Sequence, residues 1–454
     1  MPKYPPDGVG FRPGPPHQLF RGNIPQSVHE VLEFGVECVF DKLVQSHLIF
    51  SMQSGAARHF DRQHDTPGQL EWGMLDCTRR TPTPVRHPFY LTIPPGALNM
   101  ADSLITPEVR GLIGTETSPE RNRFPLSDEM AYDLADATED PNPLYIDKSA
   151  AEASRFKGLL CPPLATWKDI APSIGYFGAG QDSHFDVPLP FNSYGLNGGS
   201  DWQFLRAAYV GDWVTRQFRI VDIFEKQGRS GPLVFVVRRE TQTNQHGEVI
   251  SVADRVSIHR SRPPGEEVKA IADAREGLNS VVISPPAPDQ TVARTLHAAG
   301  TQRNFEDVSV GMALEQVIKG PLTTTHLVRW AAANGNYARI HWDLPFAQVH
   351  QGLSNVVVNG SLKNQYLGQL MIKLAGPEGW FKRFYVEHRG MDYPGDVITA
   401  SGVVTAVREV GGYGHVDCEV NLTNNRGDQT ATGSGTVVLP KKGESLPLVW
   451  DVED

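Results

Sequence analysis

Residues 334–343 read NGNYARIHWD, directly after the helix-like run LVRWAAA. The stretch puts Asn334, Asn336, Arg339, His341 and Asp343 close together, and these side chains suit acid–base chemistry. His341 is the natural proton carrier, because an imidazole titrates near neutrality. Asn336 can orient a water but cannot take its proton. Arg339 is a candidate for meeting a phosphate group, with simple solvation as the equal alternative. Asp343 reads first as a cap or turn residue. His341 and Asp343 form an HxD pair, but two ligands without a third do not make a metal site, so no metal is expected. No GxSxG elbow, Walker A loop, HExxH or complete GxGxxG occurs.

The chemistry needs elements to hold it, and the chain supplies them twice. LSDEMAYDLADATEDPNPLYIDKSAA, from Leu126, aligns without gaps on LTTTHLVRWAAANGNYARIHWDLPFA, from Leu322. Leu126 falls on Leu322, Ala135 on Ala331, Asp147 on Asp343 and Ala151 on Ala347. Further on, YVGDWV at Tyr209 answers YPGDVI at Tyr393, and NQHGEV at Asn244 answers NNRGDQ at Asn424. So long a period excludes a solenoid and indicates two copies of one domain. Each copy runs from a glycine turn (Gly114, Gly311) through a helix, the polar segment and a second helical stretch, GSLKNQYLGQLMIKLAG in copy two. Three strand-like runs end each copy: WVTRQFRIVDIF, LVFVVRRETQT and VISVADRVSIH, then VITASGVVTAVREV, HVDCEVNLTN and TATGSGTVVL. Their alternation predicts antiparallel strands, and helices beside such strands give an α+β class. Gly211-Asp212 and Gly395-Asp396 read as tight turns.

These residues resemble a known family. Copy two is similar to the MaoC-like domain, the hot-dog fold of R-specific enoyl-CoA hydratases and dehydratases. That family's pattern is roughly GDxNPxHxD, then Ala, Gly and a later HG; here it stands as GNYARIHWD, Ala347, Gly352 and Asn359-Gly360. Copy one resembles the dehydratase-type domain of fatty acid synthases, through DPNPLYID, FKGLLCPP and DWQFLRAAYVGD. The resemblance implies a tandem (double) hot-dog fold in which antiparallel sheets wrap central helices. It implies a hydro-lyase that reversibly hydrates a trans-2-enoyl-CoA to a 3-hydroxyacyl-CoA. His341 then stands at the family histidine and Asn336 at the position of its Asp. Gly360 offers the backbone N–H for the oxyanion, and Asn359 replaces the usual histidine before it. Copy one keeps Asp140 and Asn142 but has Tyr145 in place of the histidine. Asp343 and Asp140 are candidate auxiliaries, with Glu387 and Asp392 further carboxylates to weigh. Two alternatives stay open because of Asn336: a non-catalytic acyl-CoA-binding or scaffold protein, and altered chemistry on an unusual acyl thioester. The expected partner is an acyl-CoA or acyl-carrier thioester, with coenzyme A as part of the substrate and no separate cofactor. A homodimer is left open.

Composition sets the bounds. The 454 residues suit two or three domains, and 40% hydrophobic with 21% charged residues is an ordinary globular mix. A formal charge of −10 without a basic run argues against nucleic-acid and anionic-membrane surfaces. Cys38, Cys77, Cys161 and Cys418 are scattered, so no disulfide framework or zinc site is expected. No apolar run reaches the roughly 20 residues of a membrane span, and MPKYPPDGVGFRPGPPHQ lacks the apolar core of a signal peptide. The expectation is a soluble, cytoplasmic protein. The divisions expected are an N-terminal extension over 1–103, hot-dog domains over 104–262 and 304–440, a linker over 263–303 and a tail over 441–454. The extension carries a helix whose Val28, Val31, Leu32, Val36, Val39, Phe40, Leu43 and Val44 share one face, capped by Ser27 and Glu30.

Overall fold

The computed structural model describes residues 103–165, 187–191, 195–228, 231–260 and 301–452. The helix expected near the N-terminus, nearly all of the linker and most of the stretch where copy one would carry its central helix lie outside them. The described residues belong to one compact unit, Thr81–Asp454.

Copy one contributes β1 (Glu120–Arg121), β2 (Gly195–Phe204), β3 (Thr215–Gly228), β4 (Gly231–Thr243) and β5 (Val249–Arg260). Copy two contributes β6 (Val317–Lys319), β7 (Trp380–His388), β8 (Ile398–Val410), β9 (Tyr413–Asn424) and β10 (Gln429–Leu439). The helices that matter to the site are α1 (Asp128–Ala137), α2 (Thr324–Asn334) and α3 (Gly360–Ala375). All strands join one ten-stranded sheet, in the order β1-β3-β4-β5-β2-β7-β10-β9-β8-β6. Read outward from the β2–β7 seam, the two halves repeat the same order of strands. Period-two burial explains each strand: on β9, Val416, Cys418, Val420 and Leu422 are buried, while Asp417, Glu419 and Asn421 are not.

The repeat extends to single hydrogen bonds. Leu126 N–H donates to Asp212 O at 2.8 Å and Leu322 N–H to Asp396 O at 2.8 Å. Gly211 (φ 102°) and Gly395 (φ 100°) take the left-handed turn, and Asp212 and Asp396 accept from the Tyr209 and Tyr393 N–H groups, each at 2.8 Å. Asn244 and Asn424 each close a hairpin by accepting two backbone N–H groups.

The seam consists of two strands that the alternation pattern had not picked out. Gly199 pairs with Glu387 and Gln203 with Arg383. Arg383 grips Asp201 with two bonds of 3.0 and 2.7 Å. On the other face Phe204 packs on Phe381 with ring centroids 4.8 Å apart. The C-terminal tail is part of this joint, because Trp450 N–H donates to Leu205 O at 2.8 Å and its ring stacks on Trp380.

Helix α3 is buried on nearly every side, as a helix covered all round must be largely apolar or have its polar groups paired. Leu362, Tyr366, Leu367, Leu370 and Met371 supply apolar bulk. Lys363 is paired instead: its Nζ lies 2.9 Å from Asp392 Oδ2 and donates to Gly390 O and Thr430 O. Thr430 and Asn424 complete the shell of Asp392. This lock ties the first turn of α3 to the loop after β7.

Two measurements test these joints. At Gly199 a Cβ would sit 2.1 Å from Val386 O, and the φ of +140° is strained for any side chain. Gly199→Ala is expected to lower unfolding free energy by about 1–3 kcal/mol in urea titration. Lys363→Met leaves the Asp392 charge buried alone and should cost about 3–5 kcal/mol by the same measurement. An unchanged urea midpoint would contradict each assignment.

Candidate active site

The polar segment begins where α2 ends. Gly335 caps α2 in the left-handed conformation, φ 73°, and turns the chain sharply. Asn336 Oδ1 accepts the Ala338 N–H at 3.1 Å, forming a local turn. That occupies the oxygen, so what Asn336 has left to offer a water or substrate is an amide N–H. Asp140, its counterpart in copy one, accepts the Asn142 N–H in the same way at 3.2 Å.

His341 follows on a 3-10 turn, Arg339–His341, and is 8% exposed. Its Nδ1 lies 2.8 Å from Val357 O. A carbonyl only accepts, so Nδ1 carries the proton, and the neutral ring presents Nε2 as a lone pair. Burial pushes the His341 pKa below its ordinary value, partly offset by the Val357 bond. The ring is thus held in its basic form near neutrality.

Val357 links His341 to the start of α3. The Val357 N–H donates to Ile340 O at 3.1 Å, and two residues later Asn359 caps the helix. Asn359 Oδ1 accepts from Ser361 N at 2.8 Å and from Ser361 Oγ at 2.6 Å, while Trp330 Nε1 of α2 donates to Ser361 Oγ at 3.0 Å. This chain of bonds fixes the amide: the oxygen faces the helix, and Nδ2 is buried without a partner. Gly360 opens α3, where free N–H groups and the helix dipole favour negative charge.

The carboxylates weighed from sequence are all engaged. Asp343 Oδ2 accepts two bonds from Arg339, at 2.8 and 2.6 Å, and its Oδ1 caps Phe346 N–H at 3.1 Å. Arg339 also lies over the Phe346 ring, so in this conformation it braces its own segment. Glu387 is held by Tyr385 and Arg389, and Asp392 by Lys363. Asp140 sits among copy-one residues and Lys319, and among the described residues no hydrogen bond or ion pair joins it to His341. Burial raises its pKa to about 7, against the pull of Lys319. Tyr145 is buried, and burial pushes its hydroxyl further up.

Sequence reasoning passed over His388. It ends β7, where Phe384, Val386 and His388 alternate onto the inner face, and both of its ring nitrogens are buried without a partner among the described residues. A Cβ on Gly360 would lie 2.9 Å from its Nε2, so glycine at 360 is what lets the ring approach. Histidine on the inward phase of a strand was the available signal. A cleft open to solvent lies elsewhere, lined by Tyr145, Phe204, Ile250, Ile372 and Trp380. Ile372 stands about 18 Å along α3 from Gly360 at 1.5 Å per residue, so this cleft is not where the His341 chemistry would occur. Among the described residues no cluster of three or more His, Cys, Asp or Glu side chains could hold a metal. Among them, too, no helix is long and apolar enough to cross a membrane.

Comparison with known proteins agrees with this architecture. Residues 111–253 match the family described as FAS1-like, dehydratase domain region. A mesaconyl-C(4)-CoA hydratase of Chloroflexus aurantiacus is 28% identical over 206 residues, 44% of this chain and 60% of that protein's length. A solved MaoC-like dehydratase superposes with TM-score 0.55 at 19% identity, over 73% of this chain and 99% of the other. A MaoC domain protein from Chloroflexus aurantiacus gives TM-score 0.50 at 14% identity, over 73% and 96%. The comparisons thus support the resemblance drawn from the motifs: the chain shares the fold of a solved MaoC-like dehydratase, and residues 111–253 match a dehydratase-type domain region.

Proposed function

We propose that this protein reversibly hydrates a trans-2-enoyl thioester, with His341 as its acid–base group. The observation that carries this reading is the pinned histidine. Its Nδ1–H is held by Val357 O, three residues before the N-terminus of α3, so Nε2 is available as a base beside a site that favours an oxyanion. Water, held by the Asn336 N–H, gives a proton to Nε2 while its oxygen bonds to the β-carbon. The electron pair of the double bond moves to the thioester oxygen, which the Gly360 N–H stabilises. The His341 imidazolium then returns the proton to the α-carbon. One group makes both transfers, so the hydroxyl and the proton add to the same face.

Asp343, Glu387 and Asp392 are already bound to cations, which favours His341 acting alone over a substituted carboxylate. The relative named for hydrating mesaconyl-C(4)-CoA supports a thioester as the substrate class and makes dicarboxylic acyl groups worth including. A second reading, thioester binding without turnover, is favoured by Asn336 alone.

Purified protein given short, branched, dicarboxylic and aromatic enoyl-CoA thioesters should consume the conjugated absorbance and gain the mass of water. His341→Ala is expected to lower kcat by about 10²- to 10⁴-fold. Because burial lowers the His341 pKa, the basic form persists as pH falls, and kcat/KM should drop only below the ordinary histidine value of about 6.5. No turnover on any thioester, with binding retained, would replace this reading with the second one. An acidic limb at or above 6.5 would remove His341 as the base.

A further inference from the structure

Three elements meet at the first residue of α3. The position of a Gly360 Cβ is 2.9 Å from His388 Nε2 of β7 and 3.1 Å from Asn197 Nδ2 of β2. The preceding residue, Asn359, carries a further buried Nδ2. Asn197 Oδ1 is taken by the Gly199 N–H at 3.0 Å, so Asn197 also offers its amide N–H to this spot. The oxygen of Asn359 is likewise committed to Ser361. Among the described residues the cluster thus presents mainly N–H groups, with one nitrogen of the His388 ring as an acceptor.

Such a cluster is costly without a ligand. Asn359 is 4% exposed, and its Nδ2 and both His388 nitrogens are buried without partners among the described residues. A buried polar group left unsatisfied destabilises the fold. An electron-rich oxygen placed there would relieve that cost and gain the potential of the helix N-terminus.

We propose that His388, Asn359 and Asn197 complete the pocket for the thioester oxygen begun by the Gly360 N–H, so that copy one lends a side chain to the reaction of copy two. This rests on the thioester reading above. His388 acts as a neutral hydrogen-bond donor and gives up no proton. Burial, aided by the nearby Lys363 charge, pushes its pKa down to about 3. A neutral ring can polarise the carbonyl without competing with His341 for the proton.

The test uses the full chain and an aryl-enoyl-CoA with an electron-donating ring substituent, whose absorbance moves to longer wavelength when its carbonyl accepts strong hydrogen bonds. The wild type should show that shift on binding. His388→Leu and Asn197→Ala should reduce it, and His388→Gln, which keeps an N–H donor, should retain most of it. His341→Ala should leave the shift intact while losing turnover. For enoyl-CoA hydration, His388→Leu should lower kcat by about 10²- to 10³-fold with KM little changed. Thermal melting checks folding; if His388→Leu does not fold, His388→Gln and the exposed-site variant Asn197→Ala decide the matter. A shift that disappears in His388→Leu and Asn197→Ala, in a wild type that does not hydrate, would uphold this pocket and defeat the hydratase reading. Hydration with a shift unaffected by these substitutions, or binding without any shift, would overturn the pocket.

Discussion

The N-terminus of a helix has N–H groups with no partner inside the helix, and they must be met from outside it. At α3 one of them is met by the Asn359 side chain, and the helix is held in place by the Lys363–Asp392 pair and by Trp330 through Ser361. The rest of the site depends on this arrangement. It sets where an oxyanion can be stabilised, and through the Val357 carbonyl it sets the tautomer of His341. Without the lock, the remaining N–H groups and the Nε2 lone pair would have no common geometry.

The two copies show which contacts belong to the scaffold they share. Bonds that recognise backbone are repeated: Leu126 and Leu322 at the turn, Asp147 and Asp343 as caps, Asp140 and Asn336 each accepting the N–H two residues on. A carboxylate and an amide serve that last role equally well, because only an oxygen acceptor is required. Proton transfer is more demanding. Copy one has Tyr145 where copy two has His341, and burial drives the tyrosine hydroxyl away from any useful titration range.

Much of this was legible in the residues. The antiparallel runs of β3, β4, β5, β8, β9 and β10 were read from alternation, and the hairpin turns from Gly and Asn. The seam strands β2 and β7 were not. β2 carries Gly195, Gly198 and Gly199, which weaken any strand pattern; the close approach to β7 demands that backbone. β7 begins WFKRF, where Trp380, Phe381 and Lys382 are buried in succession, so alternation is blurred at its start. Missing β7 meant missing His388, whose inward phase makes sense only once the strand is known.

Sequence by itself determined the duplication, the family resemblance, the local turns and the residue types on the polar segment. Those properties depend on neighbours a few positions apart, or on similarity between two stretches of one chain. Tertiary structure decided the states of the groups. It fixed the tautomer of His341, tied Asp343 to Arg339, locked Asp392 under Lys363, and brought Asn197 and His388 to Gly360. Tautomer, burial and pairing are set by partners far away in the chain, and the sheet that brings them together runs through the two strands hardest to read.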